Sequence, residues 1–361
     1  MRKFLLLILS LVLVLSMVAC GTEGDQPSGE EEDLTVGFIY VGPIGDGGYT
    51  YAHDQGRLYL EDNLNVNTIY KESVPETQEV EQEIRNMIDQ GAKAIFATSF
   101  GYMDYVAKVS EDYPEVAFFH CSGYKTTDNL ATYFGRIYQP RYLSGIVAGL
   151  KTETNNIGYV AAYPIPEVIR GINAFTLGVQ SVNPDAVVRV KWTSTWYDPA
   201  TEKEAAVALI DEGADIIAQH QDTTGPQQAA EERGVYSIGY NTDMAEMAPE
   251  AYMTAPIWNW GPYYVEQVQN VIDGNFQSHQ YWGGMEDDVV KLAPLTELAP
   301  EGAEEAVEEA KEKILNDELI IFEGPIYDQE GNLKVEEGQQ MTDEEMLNMM
   351  WFVEGIEGNI E

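Results

Sequence analysis

Basic residues are scarce in this chain. Its 361 residues include 20 Lys and Arg against 61 Asp and Glu, which gives a formal charge of −41. A surface so short of positive charge repels a nucleic-acid backbone and anionic lipid headgroups. We therefore expect no nucleic-acid partner. We interpret the acid excess as a solubility feature, and an acidic patch for a cationic substrate is the alternative.

Cysteine, histidine and the common catalytic motifs are also sparse. The two cysteines, Cys20 and Cys121, exclude a disulfide-rich scaffold, and the apolar stretch around Cys121 predicts a buried core residue rather than a nucleophile. The sequence contains neither G-x-S-x-G nor H-E-x-x-H, and its four histidines are scattered. The turn Gly42–Gly48 matches neither a dinucleotide fingerprint nor a P-loop, and it predicts close approach of an uncharged ligand. We expect no enzyme, no cofactor and no metal site.

Long apolar runs are confined to the first residues. Phe4 to Val18 is an uncharged run of 15 residues behind Arg2 and Lys3, and it makes about 22 Å of helix, too short to span a bilayer. Residues 1–19 are therefore predicted to be a signal peptide. Small residues before Cys20 resemble a lipobox, which predicts cleavage there and a lipid on the sulfur; a plain secretory signal is the alternative. The acidic segment 20–33 is expected to be a tether.

The remaining sequence contains an internal duplication. Val36–Ile44 and Ile157–Ile165 are apolar strands interrupted by proline at the same place, 121 residues apart. Met87–Phe96 and Leu209–Ala218 repeat a helix end, a glycine and a buried strand at an offset of 122. Apolar strands alternating with helices predict an α/β fold of two lobes, each a parallel sheet covered by helices. Ligands of such sheets bind beyond the carboxyl ends of the strands, so a cleft between the lobes is expected.

The alternation also predicts domain boundaries. We expect lobe 1 to comprise residues 34–141 and 254–283, and lobe 2 to comprise residues 142–253 and 284–330. Residues 331–361 form a tail with a capping box at Thr342, followed by an apolar cluster that we expect to pack on a lobe.

Aromatic, carboxylate and amide side chains collect where the predicted strands end. The candidate ligand-binding residues are Asp46, Tyr49, Phe100 and Tyr102 in the first half, and Trp196, Asp198, His220, Asp222, Asn241 and Asp243 in the second. Flat rings on opposite lobes can sandwich a planar ligand while carboxylates accept from its N–H groups. Simple packing is the alternative for Tyr49 and Trp196. For His220 to Asp222 we favour a hydrogen-bonding strand end over a metal site. No basic residue occurs between Arg233 and Lys291, which favours a neutral or cationic ligand.

Four segments carry a family resemblance. Leu34–Arg57, Thr98–Asp104, Trp196–Pro199 and Trp260–Tyr264 resemble the basic membrane protein family over about residues 34–330. Members are lipid-anchored substrate-binding proteins of ABC importers, and this chain is similar to purine-nucleoside-binding lipoproteins.

The resemblance implies a periplasmic-binding-protein-like fold (type I, Venus flytrap) that closes on a purine base or nucleoside. An ABC permease and its ATPase are the implied partners. The implied location is the extracytoplasmic face of the cell membrane, which the chain contacts only through the lipid on Cys20. The resemblance implies stacking by Tyr49 and Trp196 and purine-edge recognition near Asp243, with Asp46 at an acidic position before the first stacking residue. The nucleoside binders place a Lys near the late crossover, whereas the segment Trp258-Asn259-Trp260 contains none, and the absence of this Lys favours a free base such as adenine. The alternatives are a binder of another planar or sugar-like solute, or a nucleoside-processing enzyme.

Overall fold

The computed structural model describes residues 33–360. The predicted signal peptide, the predicted lipid attachment site Cys20 and most of the tether lie outside the described residues. Among the residues described, no helix combines the length and apolarity that crossing a membrane requires.

The first repeat builds a sheet from strands that are separated by helices. Its elements are β1 (Leu34–Ile39), α1 (Tyr49–Asn63), β2 (Val66–Lys71), α2 (Glu79–Asp89), β3 (Ala92–Ala97), α3 (Met103–Asp112), β4 (Ala117–Cys121) and β5 (Leu130–Gly135). The helix α4 (Tyr138–Lys151) follows and leads to the second repeat.

The second repeat has the same succession. Its elements are β6 (Asn156–Ala161), α5 (Pro166–Val182), β7 (Val187–Trp192), α6 (Pro199–Asp211), β8 (Ile216–His220), α7 (Gly225–Arg233), β9 (Tyr236–Ile238) and β10 (Tyr252–Thr254). The chain continues through β11 (Pro256–Trp258), α8 (Gly261–Ile272), β12 (Gln280–Gly283), β13 (Val290–Leu292) and α9 (Ala303–Leu315). It ends with β14 (Ile326–Tyr327), β15 (Leu333–Val335), α10 (Asp343–Leu347) and β16 (Ile356–Glu357).

Strand order shows the duplication directly. The first sheet has the order β12-β5-β4-β3-β1-β2 and the second β10-β9-β8-β6-β7-β16. The run β4-β3-β1-β2 corresponds to β9-β8-β6-β7, and the pairs within both runs are parallel. The predicted α/β fold of two helix-covered parallel sheets is therefore confirmed, and each sheet together with its helices is called a lobe.

Burial explains why these segments form strands. Every residue of β4, β5, β6 and β8 is buried, as expected for strands covered by helices on both faces. β5 was absent from the sequence-based prediction, because LATYFG lacks a distinctive apolar run and follows β4 after a short loop.

The tail has the predicted cap and a mostly buried apolar cluster. Thr342 and Glu345 form the reciprocal capping box at the start of α10. Met346, Met349 and Phe352 are buried in the core cluster of the second lobe, whereas Met350 is exposed. β16 then pairs with β7 at the edge of the second sheet. The domain boundaries themselves stay a prediction, because strand order shows only which segments share a sheet.

Candidate functional site

The strands of both sheets end at one cavity. It contains about 310 Å³ of space free of protein atoms, part of it open to solvent. The first lobe contributes Val41, Tyr49, Ser99, Phe100 and Ser122, and the second contributes Glu167, Trp196, His220, Asp222 and Tyr240. These residues follow β1, β3 and β4 on one side and β6, β7, β8 and β9 on the other. The cavity therefore lies where parallel α/β sheets generally bind ligands.

The wall from the first lobe is aromatic and held in place by hydrogen bonds. Tyr49 begins α1, and its hydroxyl donates to the carbonyl oxygen of Thr98 at 2.5 Å. Its ring packs edge-on against His53, with centroids 4.5 Å apart. Burial raises the pKa of Tyr49 well above its ordinary value, so the phenol is neutral. Phe100 lies in a short 3₁₀ turn after β3 and exposes part of its ring. The hydrogen bond to Thr98 and the packing against His53 together fix the orientation of the Tyr49 ring.

The turn between β1 and α1 brings the two lobes into contact. The Asp46 carboxylate accepts from the backbone N–H groups of Gly48, Thr50 and Tyr51 at 2.8–2.9 Å. Burial raises the pKa of Asp46 to about 6, although these three N–H groups act in the opposite direction. A Cβ on Gly48 would lie 2.4 Å from the carbonyl oxygen of Asp222, so glycine is required for this close approach. The lobes therefore meet backbone to backbone beside the cavity.

The wall from the second lobe carries the two acidic side chains of the site, Glu167 and Asp222. Asp222 is 3% exposed, and burial, followed by neighbouring carboxylates, raises its pKa well above the ordinary value. Glu167 lies in the first turn of α5, and its Oε1 is 3.7 Å from His220 Nε2. Burial lowers the pKa of His220 to about 4, against the opposing effect of Glu167, so the imidazole is neutral near pH 7. Trp196 adds an aromatic face 5.1 Å from the ring of Tyr163.

A buried cation lies behind this wall. Arg141 Nη1 donates to the carbonyl oxygen of Gln219 at 2.6 Å, and its guanidinium lies 3.7 Å from the ring centroid of Tyr240. Tyr240 lines the cavity, so its ring separates Arg141 from the cavity. Apart from the aliphatic side chain of Val41, the groups that line the cavity are aromatic, hydroxyl, imidazole and carboxylate. This lining favours a ligand with flat faces and hydrogen-bond donors.

The structure brings five of the predicted site residues together and places the others elsewhere. Tyr49, Phe100, Trp196, His220 and Asp222 line the cavity. Each ends a strand, lies in the segment between a strand and the helix that follows it, or begins that helix, as the sequence pattern predicted.

The other predicted residues have structural partners outside the lining. Asp46 organises the turn described above, and Asp198 caps α6 by accepting from the N–H groups of Ala200 and Thr201. Tyr102 is fully buried and donates to the carbonyl oxygen of Val74.

The last three predicted residues are Asn241, Trp260 and Asp243. Asn241 donates to Gln221 O and accepts from Trp258 Nε1. Trp260 stacks on His53 in the core of the first lobe, with centroids 5.1 Å apart. Asp243 is exposed and accepts from the N–H of Ala245. Ligand contact by these six residues stays a prediction.

Sequence reasoning missed five lining residues: Val41, Ser99, Ser122, Glu167 and Tyr240. A signal for Glu167 was available, because the repeat offset of 121 that aligns Ile44 with Ile165 also aligns Asp46 with Glu167. The duplication thus places an acid after the first strand of each lobe. For Tyr240 no comparable signal exists, since it reads as the last apolar residue of a strand.

Within residues 33–360, no group of three or more His, Cys, Asp or Glu side chains is arranged to hold a metal ion. Cys121 is buried, and burial raises the pKa of its thiol far above the ordinary value. The Tyr49 hydroxyl lies 3.4 Å from Cys121 Sγ. A thiol in this state is a poor nucleophile.

Solved structures with the same architecture are transport proteins and regulators. A solute-binding protein of an ABC transporter system from Aeropyrum pernix K1 superposes with a TM-score of 0.71 at 20% identity, covering 87% of this chain and 97% of that one. A solute-binding protein from Conexibacter woesei gives a TM-score of 0.64 at 20% identity, covering 79% and 97%. The fold is thus the two-lobed architecture of periplasmic-binding-protein-like solute receptors.

Sequence comparison gives the family. Residues 34–330 match the family described as ABC transporter substrate-binding protein PnrA-like, and the chain belongs to it. The chain is 43% identical over 332 residues to the purine-binding protein BAB2_0673 of Brucella abortus, covering 91% of this chain and 95% of that protein. It is also 40% identical over 340 residues to the putative ABC transporter glucose-binding protein TsgA13 of Haloferax volcanii, covering 94% and 84%. The resemblance noted in the sequence is confirmed.

Proposed function

We propose that this protein captures a purine, with a free base such as adenine preferred over a nucleoside, for uptake by an ABC importer. The observation that carries the proposal is the cavity between the lobes, where Tyr49 and Phe100 face from one lobe and Trp196 from the other. Aromatic rings on two walls suit a flat heterocycle, and the carboxylates of Asp222 and Glu167 suit its N–H groups. The likeness to the Brucella purine-binding protein supports the same class of ligand.

In the proposed cycle the lobes open, admit the purine and close around it. The closed protein then docks on a permease, whose ATPase partner supplies the energy, and the ligand is released unaltered. We include in this proposal the lobe boundaries at residues 34–141 with 254–283 and 142–253 with 284–330. We also include extracytoplasmic anchoring through a lipid on Cys20. An enzyme acting on nucleosides would instead convert its ligand, which chromatography after incubation reveals.

A sugar is the second candidate ligand. The likeness to the putative glucose-binding protein of Haloferax volcanii supports it, and aromatic faces with carboxylates also suit a hexose. The two candidates differ in their hydrogen-bond donors: a hexose presents hydroxyl groups around its whole rim, whereas adenine presents N–H groups on its edges and two bare ring faces.

Isothermal titration calorimetry of the purified protein separates these candidates. The panel contains adenine, adenosine, hypoxanthine and glucose. We expect adenine to bind most tightly, with a dissociation constant near or below about 1 µM, which corresponds to about 8 kcal/mol. Binding of glucose with no response to any purine would contradict the proposal.

A further inference from the structure

We propose that Glu167 and Asp222 act together as specificity-determining residues that recognise two N–H donors of a free aminopurine base, on either side of a ring nitrogen that accepts from His220. This inference rests on the proposed function and adds to it the edge of the purine that is recognised. It assigns a role to Glu167, which neither the sequence motifs nor the usual packing of the fold explains.

The two carboxylates face the cavity without a cationic partner. In the described part of the chain, no lysine or arginine lies within ion-pair distance of Glu167, and Asp222 forms no ion pair. The side chain of Glu167 is 15% exposed, and Asp222 is almost fully buried. A buried carboxylate without partners is costly, and a ligand that donates hydrogen bonds removes this cost.

His220 lines the same cavity as the two acids. It ends β8, Asp222 follows two residues later, and Glu167 Oε1 is 3.7 Å from His220 Nε2. That distance exceeds hydrogen-bond length, so both groups keep their bonding capacity for a ligand. The wall therefore presents an imidazole beside the carboxylate of Glu167, with Asp222 lining the same cavity.

The surroundings of His220 determine which ring nitrogen carries the proton. A Cβ built on Gly171 would lie 3.6 Å from His220 Nδ1 and 3.5 Å from Arg141 Nε, so both nitrogens converge on the space beside that glycine. A guanidinium only donates, so a proton on Nδ1 would be repelled there. The neutral imidazole consequently carries its proton on Nε2, on the side of Glu167.

The wall thus offers two acceptors, the carboxylates of Glu167 and Asp222, and one donor, the Nε2–H of His220. Free adenine offers the complement: the exocyclic amino group donates and the ring nitrogen N7 beside it accepts, while the N9–H, on the far side of C8, donates in a different direction. A nucleoside has no N9–H because the sugar is attached there. A 6-oxopurine would bring an oxygen against a carboxylate. The chemistry therefore favours a free 6-aminopurine over both.

Calorimetry with matched analogues tests this assignment. Adenine, 9-methyladenine (no N9–H) and unsubstituted purine (no amino group) are titrated into the wild-type protein and into Glu167→Ala and Asp222→Ala. We expect the wild-type protein to bind each analogue about tenfold or more weakly than adenine, the loss that accompanies an unpaired charged acceptor. We expect one variant to bind 9-methyladenine as tightly as it binds adenine, and the other to bind unsubstituted purine as tightly as it binds adenine.

Two further variants serve as controls. Glu167→Gln keeps an acceptor oxygen and should retain part of the discrimination that Glu167→Ala loses. Glu79→Ala removes an exposed acid from the first turn of α2, away from the cavity, and should leave all three affinities unchanged.

The possible failures are distinguishable. If the wild-type protein binds no purine, the proposed function fails and this inference fails with it. If adenine binds but Glu167→Ala keeps both affinity ratios of the wild type, the assignment of Glu167 is wrong and the proposed function stands.

Discussion

Replacing Gly48 by alanine should weaken ligand binding because it separates the lobes. The added Cβ would lie 2.4 Å from the carbonyl oxygen of Asp222 and 2.8 Å from its carbonyl carbon. Both atoms are backbone, so no side chain can rotate away. Ordinary contact begins at 3.4 Å, so the strand end that carries Asp222 must withdraw by about 1 Å. That movement displaces a cavity-lining residue and opposes closure.

The size of the effect follows from the cost of overpacking. Forcing an extra methyl group into a packed contact costs about 1–3 kcal/mol. If the ligand binds the closed form, this cost appears as a loss of affinity of about 5-fold to 150-fold. Gly45→Ala is the matched control, because a Cβ at Gly45 meets nothing within 4 Å.

Calorimetry with adenine on the wild type and both variants measures this loss, and thermal unfolding without ligand checks that the fold is intact. We expect Gly45→Ala to behave as the wild type and Gly48→Ala to bind weakly while unfolding at nearly the same temperature. Equal adenine affinity in all three proteins would refute the argument that the contact between Gly48 and Asp222 belongs to the binding-competent state.

Further predictions concern stacking, the tail, pH and the anchor. Trp196→Ala should weaken adenine binding at least about tenfold, or about 1.4 kcal/mol, and unchanged affinity by calorimetry would refute the stacking role. Phe352→Ala should lower the free energy of unfolding in urea by about 3–5 kcal/mol, because the ring is 1% exposed, whereas Met350→Ala, at an exposed position, should cost little. Burial lowers the pKa of His53 to about 3. The unfolded chain, with a pKa near 6.5, therefore takes up this proton first, and stability falls as pH drops below about 6.5, by about 2 kcal/mol at pH 5. His53→Gln should show a correspondingly smaller loss of unfolding free energy between pH 7 and pH 5, and an identical loss would contradict this reasoning. Cys20→Ser should move the protein from the membrane fraction to the soluble fraction, and unchanged partitioning would contradict lipid anchoring.

The sequence predicted the architecture because the duplication repeats strong physical signals. Apolar strands, a glycine after each helix end and proline after the first strand occur in both halves, and the structure shows matching strand orders. β5 was missed because LATYFG lacks a distinctive apolar run, although every one of its residues is buried. The pairing of β16 with β7 was missed for a related reason: two ladder residues carry no periodicity that a sequence window can detect.

The site was only partly predictable from the sequence. Of the candidate residues that follow strands, Tyr49, Trp196 and Asp222 line the cavity, and their contact with a ligand stays a prediction. The same rule selected Asp198 and Asn241, because these residues also follow strands. Their side chains instead satisfy a helix N-terminus and a backbone carbonyl. Whether such a side chain faces a ligand or a local backbone group depends on loop geometry, which residue type and spacing do not determine.

Determining the crystal structure of the protein with adenine tests the central claim most directly. We expect the purine ring in the cavity, with one face toward Trp196, the other toward Tyr49 or Phe100, and N–H groups directed at the carboxylates of the second lobe. Adenine located elsewhere on the protein, or a cavity that excludes adenine and accepts glucose, would contradict it.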